Sequence, residues 1–78
     1  MLKGSRQAVV RNLRPVSIHG QMSYEIVFTH VDDPDEQLNA ARVGPEAIIG
    51  QPLDIGDSID VEYLVGVVVK VTKLKNRV

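Results

Sequence analysis

The residues best suited to metal chemistry lie around one acidic turn. His30 is followed closely by several carboxylates, and His19 lies eleven residues before it. Imidazole and carboxylate groups together can ligate a divalent metal. Aspartates in a turn also hydrogen-bond their own backbone, and His19 belongs to a predicted hairpin tip, so we expect a solvated turn, no metal and no cofactor. The carboxylates are those of Asp32, Asp33, Asp35 and Glu36.

The motifs that usually identify an enzyme do not occur in the sequence. Its four serines lie outside any G-x-S-x-G context, and it contains neither a phosphate-cradling glycine loop nor a dinucleotide fingerprint. The absence of cysteine excludes disulfides and thiolate nucleophiles. A small barrel is filled by its own side chains, which leaves no pocket to shift the pKa of paired carboxylates. We therefore predict a non-catalytic protein.

Charge is distributed unevenly, although the net charge is only −1. Residues 1–20 carry +4 and residues 70–78 carry +4, whereas residues 21–69 carry −9. Because the first and last strands of a small barrel come near one another, the two basic ends would form one positive field that favours phosphate backbones. Lysines on edge strands also prevent edge-to-edge pairing, which is the competing explanation. The predicted polyanion-binding residues are Arg6, Arg11, Arg14, Lys70, Lys73 and Lys75.

The three aromatic residues lie at positions typical of a core. Barrels that bind nucleic acid usually stack bases on exposed aromatic side chains. Tyr24, Phe28 and Tyr63 instead share the apolar register of their strands. We expect them to be core residues, which weighs against base stacking.

Alternating apolar and polar residues predict strands in both halves of the chain. Residues 23–31 place Tyr24, Ile26, Phe28 and His30 on one face, and residues 58–65 place Ile59, Val61, Tyr63 and Val65 on one face. Residues 67–74 set Val67, Val69 and Val71 against a second row that includes Lys70. The first strand, residues 7–18, changes register, so we predict a bulge near Asn12 and a hairpin at 18–21.

Gly66 interrupts the valine-rich stretch 62–71 and has no other turn residue beside it. A two-residue hairpin normally uses Asn-Gly or Gly-X. We therefore predict that Gly66 is a bulge or a sharp bend in one long, curving strand. A tight hairpin with Gly66 at positive φ is the alternative.

The middle of the chain is less regular. Residues 31–37 form a polar loop, and residues 38–43 fit either a weak third strand or the lead into a helix. In the stretch GPEAIIG, a proline at a first helical position and a glycine at the exit predict a helix of one or two turns. The predicted element order is three strands, a short helix and two strands.

This order resembles the oligonucleotide/oligosaccharide-binding (OB) barrel. The motif L-x-I-G-D-x-I-x-V at residues 53–61 and the valine-rich return are also similar to the final part of SH3-like and Sm-like barrels. The fold prediction is a mainly β domain spanning residues 1–78, a small five-stranded antiparallel barrel with one short helix between strands 3 and 4. The resemblance covers architecture and carries no site residues.

Two functions are compatible with such a domain. The first is weak binding of nucleic acid or another polyanion through the basic terminal strands. The alternative is a protein-interaction or assembly module, either a homo-oligomer or an adaptor, in which the irregular third segment leaves an open sheet edge for strand addition. No apolar run approaches the roughly 20 residues that span a bilayer, so we expect a cytoplasmic protein without a membrane partner.

Overall fold

The computed structural model describes residues 3–50 and 52–74 and consists mainly of strands. Between the third and fourth strands lies one three-residue 3-10 turn, Pro45–Ala47. The strands are β1 (Lys3–Ile18), β2 (Gln21–His30), β3 (Asn39–Val43), β4 (Ile48–Ile49), β5 (Ser58–Leu64) and β6 (Val67–Lys73).

The six strands form one sheet in the order β3-β2-β1-β5-β6-β4. All neighbours pair antiparallel except β4 and β6, which pair parallel. The sheet curls into a half-barrel, so the prediction of a small, mainly β, barrel-like fold is confirmed. The predicted count of five antiparallel strands is wrong for this sheet, because the two-residue β4 adds a sixth strand and a parallel pairing.

The long first strand contains the bulge that its change of register predicts. Val10 pairs with Phe28 and Asn12 pairs with Val27, so Arg11 is an extra residue in β1. The bulge lets Val10 and Leu13 face the same side although they are three residues apart. The predicted hairpin at 18–21 is also confirmed, since β1 and β2 join through two residues.

Gly66 lies in a tight hairpin, so the prediction of a bend within one long strand is wrong. Strand β5 ends at Leu64, β6 begins at Val67, and both residues between them have positive φ, 51° at Val65 and 78° at Gly66. Two successive positive φ values are the signature of a type I′ turn. The alternative drawn from the sequence, a hairpin with Gly66 at positive φ, is the conformation observed.

A second bulge changes the faces of β6. Tyr63 pairs with Val68 and Glu62 pairs with Lys70, which leaves Val69 as the extra residue. The predicted apolar row of Val67, Val69 and Val71 is therefore broken. Val71 is fully buried, whereas Val67 and Val69 are exposed.

The region between β3 and β5 is more extended than the sequence suggests. The residues that fit either a strand or a helix form β3, and the predicted helix shrinks to the 3-10 turn. Ile48 and Ile49 do not continue that turn, because they pair with Val71 and Thr72 of β6. Isoleucine is β-branched and favours extended backbone when a neighbouring strand is available.

The core lies on the concave face of the sheet. It draws on all six strands and on Leu53 of the β4–β5 connection. Leu13, Tyr24 and Tyr63 are partly buried and pack against it. The buried apolar residues are Ala8, Val10, Ile26, Phe28, Val43, Ile48, Leu53, Ile59, Val61 and Val71.

Candidate functional site: the open seam of the half-barrel

Five of the six basic residues predicted to bind a polyanion lie in the described part of the structure, on two strands. Arg6, Arg11 and Arg14 lie on β1, and Lys70 and Lys73 lie on β6, with β5 between these strands. The first and last strands thus come near one another without pairing, and one positive field across both of them stays a prediction. Lys75 lies outside the described residues.

Each arginine of β1 forms an ion pair with an acidic residue from the middle of the chain. Arg6 Nη2 lies 2.7 Å from Asp32 Oδ1, Arg11 Nη2 lies 3.3 Å from Glu36 Oε1, and Arg14 Nε lies 2.8 Å from Glu25 Oε1. Arg11 also donates to the hydroxyl of buried Thr29. The acidic middle thus neutralises much of the basic amino-terminal segment. Because these pairs are exposed, each contributes little to stability.

The two lysines of β6 lie in different surroundings. Lys73 Nζ donates to the carbonyl oxygen of Pro52 at 3.0 Å and lies 3.5 Å from Asp57 Oδ2, so it anchors the β4–β5 connection. Lys70 is exposed and lies directly across from Glu62 of β5. Of the two, Lys70 is the more accessible to a binding partner.

The two histidines are far apart in the fold. His19 lies in the exposed β1–β2 turn, whereas His30 lies at the end of β2 and is only 7% exposed. Within the described residues, no group of three or more histidine or acidic side chains is placed to hold a metal ion. The acids after His30 form ion pairs and turn contacts, since Asp33 accepts hydrogen bonds from the backbone N–H groups of Asp35 and Gln37.

The sheet is open between β3 and β6. Strand β3 is one edge of the sheet, as the irregular third segment suggests. Strand β4 covers β6 only at Val71 and Thr72. In the described part of the chain, residues 67–70 of β6 therefore have a neighbouring strand, β5, on one side only. Four successive antiparallel pairings separate β3 from β6, so the two strands run in the same direction. Two parallel strand edges thus flank an opening that we call the seam.

A cleft of about 380 Å³ lies along this seam. Residues 39–42 of β3 form one wall, residues 66–68 of the β5–β6 hairpin form the other, and Phe28 and Tyr63 line the space between them. The cleft therefore combines apolar side chains from the concave face with backbone from two strand edges. The Cα atoms of β3 and β6 approach within 8 Å at their nearest points. An inserted strand needs the two edges about 9.6 Å apart, so at these nearest points the seam has to open by at least about 1.6 Å to admit one.

The tip of the β5–β6 hairpin adjoins the cleft and is apolar. Val65 and Val67 are 65% and 62% exposed, and Leu64 and Val69 are exposed as well. A β-branched residue at positive φ is unusual because its side chain crowds the backbone, so Val65 is strained. An Asn-Gly sequence would relieve this strain. A strained, exposed apolar tip beside an open seam is typical of a contact surface.

A hydrogen-bonded chain lies beside the cleft and joins three strands. Asn39 Nδ2 donates to the carbonyl oxygen of Gln37 at 3.1 Å, which sets the orientation of its amide. The same Nδ2 faces His30 Nδ1 at 3.5 Å. On the other side of the ring, His30 Nε2 and the Tyr63 hydroxyl are hydrogen-bonded at 2.7 Å. The His30 ring thus connects the Asn39 amide to the Tyr63 hydroxyl at the edge of the cleft.

Burial and charge both hold His30 neutral. Burial lowers the pKa of His30, and the nearby Arg6 guanidinium lowers it further, while Asp32 and Asp33 act in the opposite direction. Burial raises the pKa of Tyr63, so its hydroxyl stays protonated. The hydrogen bond from Arg6 lowers the pKa of the Asp32 carboxyl. The His30–Tyr63 pair is therefore a neutral contact.

The lowered pKa of His30 predicts a loss of stability in mild acid. The unfolded chain takes up a proton on His30 near pH 6.5, whereas the folded chain does so only at lower pH. The contribution of neutral His30 to the free energy of unfolding is therefore complete above about pH 7. It is lost as the pH drops from the pKa of His30 in the unfolded chain towards its lower pKa in the folded chain. Urea melts at pH 7.5 and about 5.5 measure this fall, since Asp32 titrates below that range.

Histidine variants provide the control for this pH dependence. His30→Gln should flatten the fall in stability between the two pH values, while His19→Gln should leave it as in the wild-type protein. Equal pH dependence in the wild type and in His30→Gln would contradict the assignment of the effect to His30.

Sequence reasoning identified the open edge of β3 but missed the cleft, the His30–Tyr63 contact and the exposed hairpin tip. The signal for the tip was the run of valines around Gly66, which is too apolar for a turn that faces water.

Among the described residues, there is no helix long and apolar enough to cross a membrane. The chain matches no protein-family model, and no curated protein or solved structure is significantly similar to it.

Proposed function

We propose that this protein is a non-catalytic protein-interaction module that binds an extended segment of a partner chain in the seam between β3 and β6. The observation that carries the proposal is the pair of strand edges that face each other across the cleft. Strand edges offer unpaired backbone donors and acceptors, which an added strand satisfies. In this proposal the protein is an incomplete OB-like barrel that its partner completes.

The orientation of the bound segment follows from the direction of the seam. Because β3 and β6 run in the same direction, one added strand can pair antiparallel with both. Antiparallel pairing is slightly more stable per residue than parallel pairing. Alternate side chains of the segment would then enter the cleft beside Phe28 and Tyr63, and the others would face outward with Arg42.

A partner segment suits the seam better than a second copy of this chain does. The exposed hairpin tip, residues 64–69, contains no charged residue that could pair with Arg42. The well-patterned strands β2 and β5 are already paired on both edges within the sheet. A second copy could supply one of them only by unfolding, so we assign the seam to a different chain.

The test is selection from a random heptapeptide library, followed by amide hydrogen exchange on the selected complex. Bound peptide should slow exchange at residues 39–43 and 67–70 and leave the β1–β2 turn unchanged.

Ala41→Leu places a larger side chain in the cleft and should weaken binding at least tenfold. Ser5→Phe, at an exposed position of β1, is the control, and this variant should bind the peptide as the wild type does. Protection confined to other strands, or edge protection that rises with protein concentration alone, would overturn the proposal.

Polyanion binding is the second candidate. The observation that favours it is the exposure of the β1 arginines, each with about half or more of its side chain accessible. Since each must leave an acidic residue to contact a phosphate, we expect weak binding to a labelled single-stranded oligonucleotide at about 50 mM salt and loss of binding by about 200 mM. Undetectable binding at low salt, or binding that is insensitive to salt, would exclude this function.

A further inference from the structure

The two walls of the seam carry positive charge on the same face. On β3, Asn39, Ala41 and Val43 lie on the concave side, while Ala40 and Arg42 lie on the convex side. On β6, Lys70 precedes buried Val71 and therefore lies on the convex side, across from Glu62. One cation thus lies on each wall, and both face outward from the barrel.

The cation on β3 is only loosely held by the rest of the protein. Arg42 Nη2 lies 3.9 Å from Glu25 Oε2, at the limit of an ion pair, and Glu25 already binds Arg14 at 2.8 Å. Half of the Arg42 side chain is exposed, and Arg42 lines the cleft. Arg42 can therefore turn towards an acid on an added strand without giving up a strong contact.

The concave side of the seam selects the opposite kind of side chain. The lining on this side consists of Phe28, Asn39, Ala41, Tyr63 and Val68. Its polar groups are the Asn39 amide and the Tyr63 hydroxyl, which are already hydrogen-bonded to His30, so a charged side chain here would lose more hydration than these two neutral groups replace. Apolar side chains of moderate size suit this side of the cleft.

The protein already contains a strand with this combination of side chains. On its covered edge β6 pairs with β5, whose residues 59–63 read IDVEY and alternate apolar with acidic. Ile59 and Val61 enter the core, and Glu62 lies opposite Lys70 on the convex side. The strand that β6 accepts on one edge is a guide to the strand that fits its other edge.

We propose that the partner segment alternates apolar and acidic side chains, with the apolar residues in the cleft and the acidic residues beside Arg42 and Lys70. This inference rests on the proposed function, since it names the chemistry of the segment that the seam binds. The recognition is electrostatic on the convex side and apolar on the concave side.

Three synthetic heptapeptides with blocked ends test the proposal. They alternate valine with glutamate, with lysine or with serine, and their binding is measured by titration calorimetry at about 50 and about 300 mM salt. We expect the glutamate peptide to bind about tenfold more tightly than the lysine peptide at low salt, and the difference to shrink at high salt. Equal or tighter binding of the lysine peptide would overturn the acidic preference.

Variants of the two cations locate the effect. Arg42→Gln and Lys70→Gln should each weaken binding of the glutamate peptide about threefold and leave the serine peptide unchanged. Arg11→Gln is the matched control, because the Arg11 side chain is similarly exposed but lies on β1. Loss of affinity in Arg11→Gln equal to that in Arg42→Gln would overturn the assignment to the seam.

Failure of this inference can be distinguished from failure of the proposed function. If all three peptides bind alike and slow exchange at residues 39–43 and 67–70, strand addition stands and the acidic preference is wrong. If none of them, and no peptide selected from the library, slows exchange at these residues, the proposed function is wrong as well.

Discussion

Replacing Phe28 with alanine is expected to remove a large part of the stability of this protein. Phe28 is the largest fully buried side chain of the described residues and lies on the concave face of β2, in contact with His30 through an edge-to-face pair of rings. Truncation of a buried phenylalanine costs about 3–5 kcal/mol, because apolar contacts are lost and a cavity remains. A chain of this length is stable by about 4–12 kcal/mol, so the variant should lose between about a quarter and all of that stability.

Urea denaturation followed by circular dichroism measures the loss of stability in Phe28→Ala. Val67→Ala is the control, because Val67 is largely exposed at the hairpin tip and its truncation should change the free energy of unfolding by less than about 0.5 kcal/mol. A loss below about 1 kcal/mol in Phe28→Ala would mean that the core does not converge on this side chain.

Gly50→Ala is expected to be the most destabilising glycine replacement among those with positive φ. Gly50 has φ +91°, and a Cβ atom there would lie 2.9 Å from Lys73 Cβ. Backbone strain at positive φ costs about 1–2 kcal/mol, and the close contact adds about 1–2 kcal/mol because β6 must shift. We expect a total loss of about 2–4 kcal/mol in urea melts.

Gly66→Ala separates the two contributions to the cost at Gly50. Gly66 also has positive φ, +78°, but no atom beyond its chain neighbours lies within 4 Å of the position of an added Cβ in the described structure. Only backbone strain remains, so the loss should be about 1 kcal/mol. If Gly66→Ala proves as costly as Gly50→Ala, the close approach of Lys73 to Gly50 is not the cause of the larger effect.

Patterns within single strands were enough to predict much of the fold. The alternation of residues 23–31 and 58–65 predicts β2 and, up to Leu64, β5, because one face of each strand is buried and the period of a strand is two. The change of register between Val10 and Leu13 identifies the bulge at Arg11 for the same reason. These features depend only on neighbours along the chain, and the sequence contains all of them.

The β5–β6 hairpin depends on tertiary structure. Val65-Gly66 is a poor type I′ turn by local preference, since the first position favours asparagine or aspartate. The pairing of Leu64 with Val67 and the burial of Val71 stabilise the hairpin enough to hold Val65 at positive φ. Tertiary packing thus overrides a local preference worth about 1 kcal/mol, and this cannot be read from the stretch itself.

Charge count and charge placement have different origins. The sequence determines that both ends are basic and the middle acidic, and that no cysteine chemistry is available. The pairing register of the β1–β2 hairpin brings Arg14 beside Glu25 and the Asp32 carboxylate beside Arg6, which neutralises much of the basic segment. The strand order of the whole sheet, β3-β2-β1-β5-β6-β4, separates β3 from β6 by four strand pairings and leaves their edges facing each other. The seam exists because pairing partners far apart in the chain are chosen by the packing of the whole sheet, whereas a sequence pattern records only which face of a strand is buried.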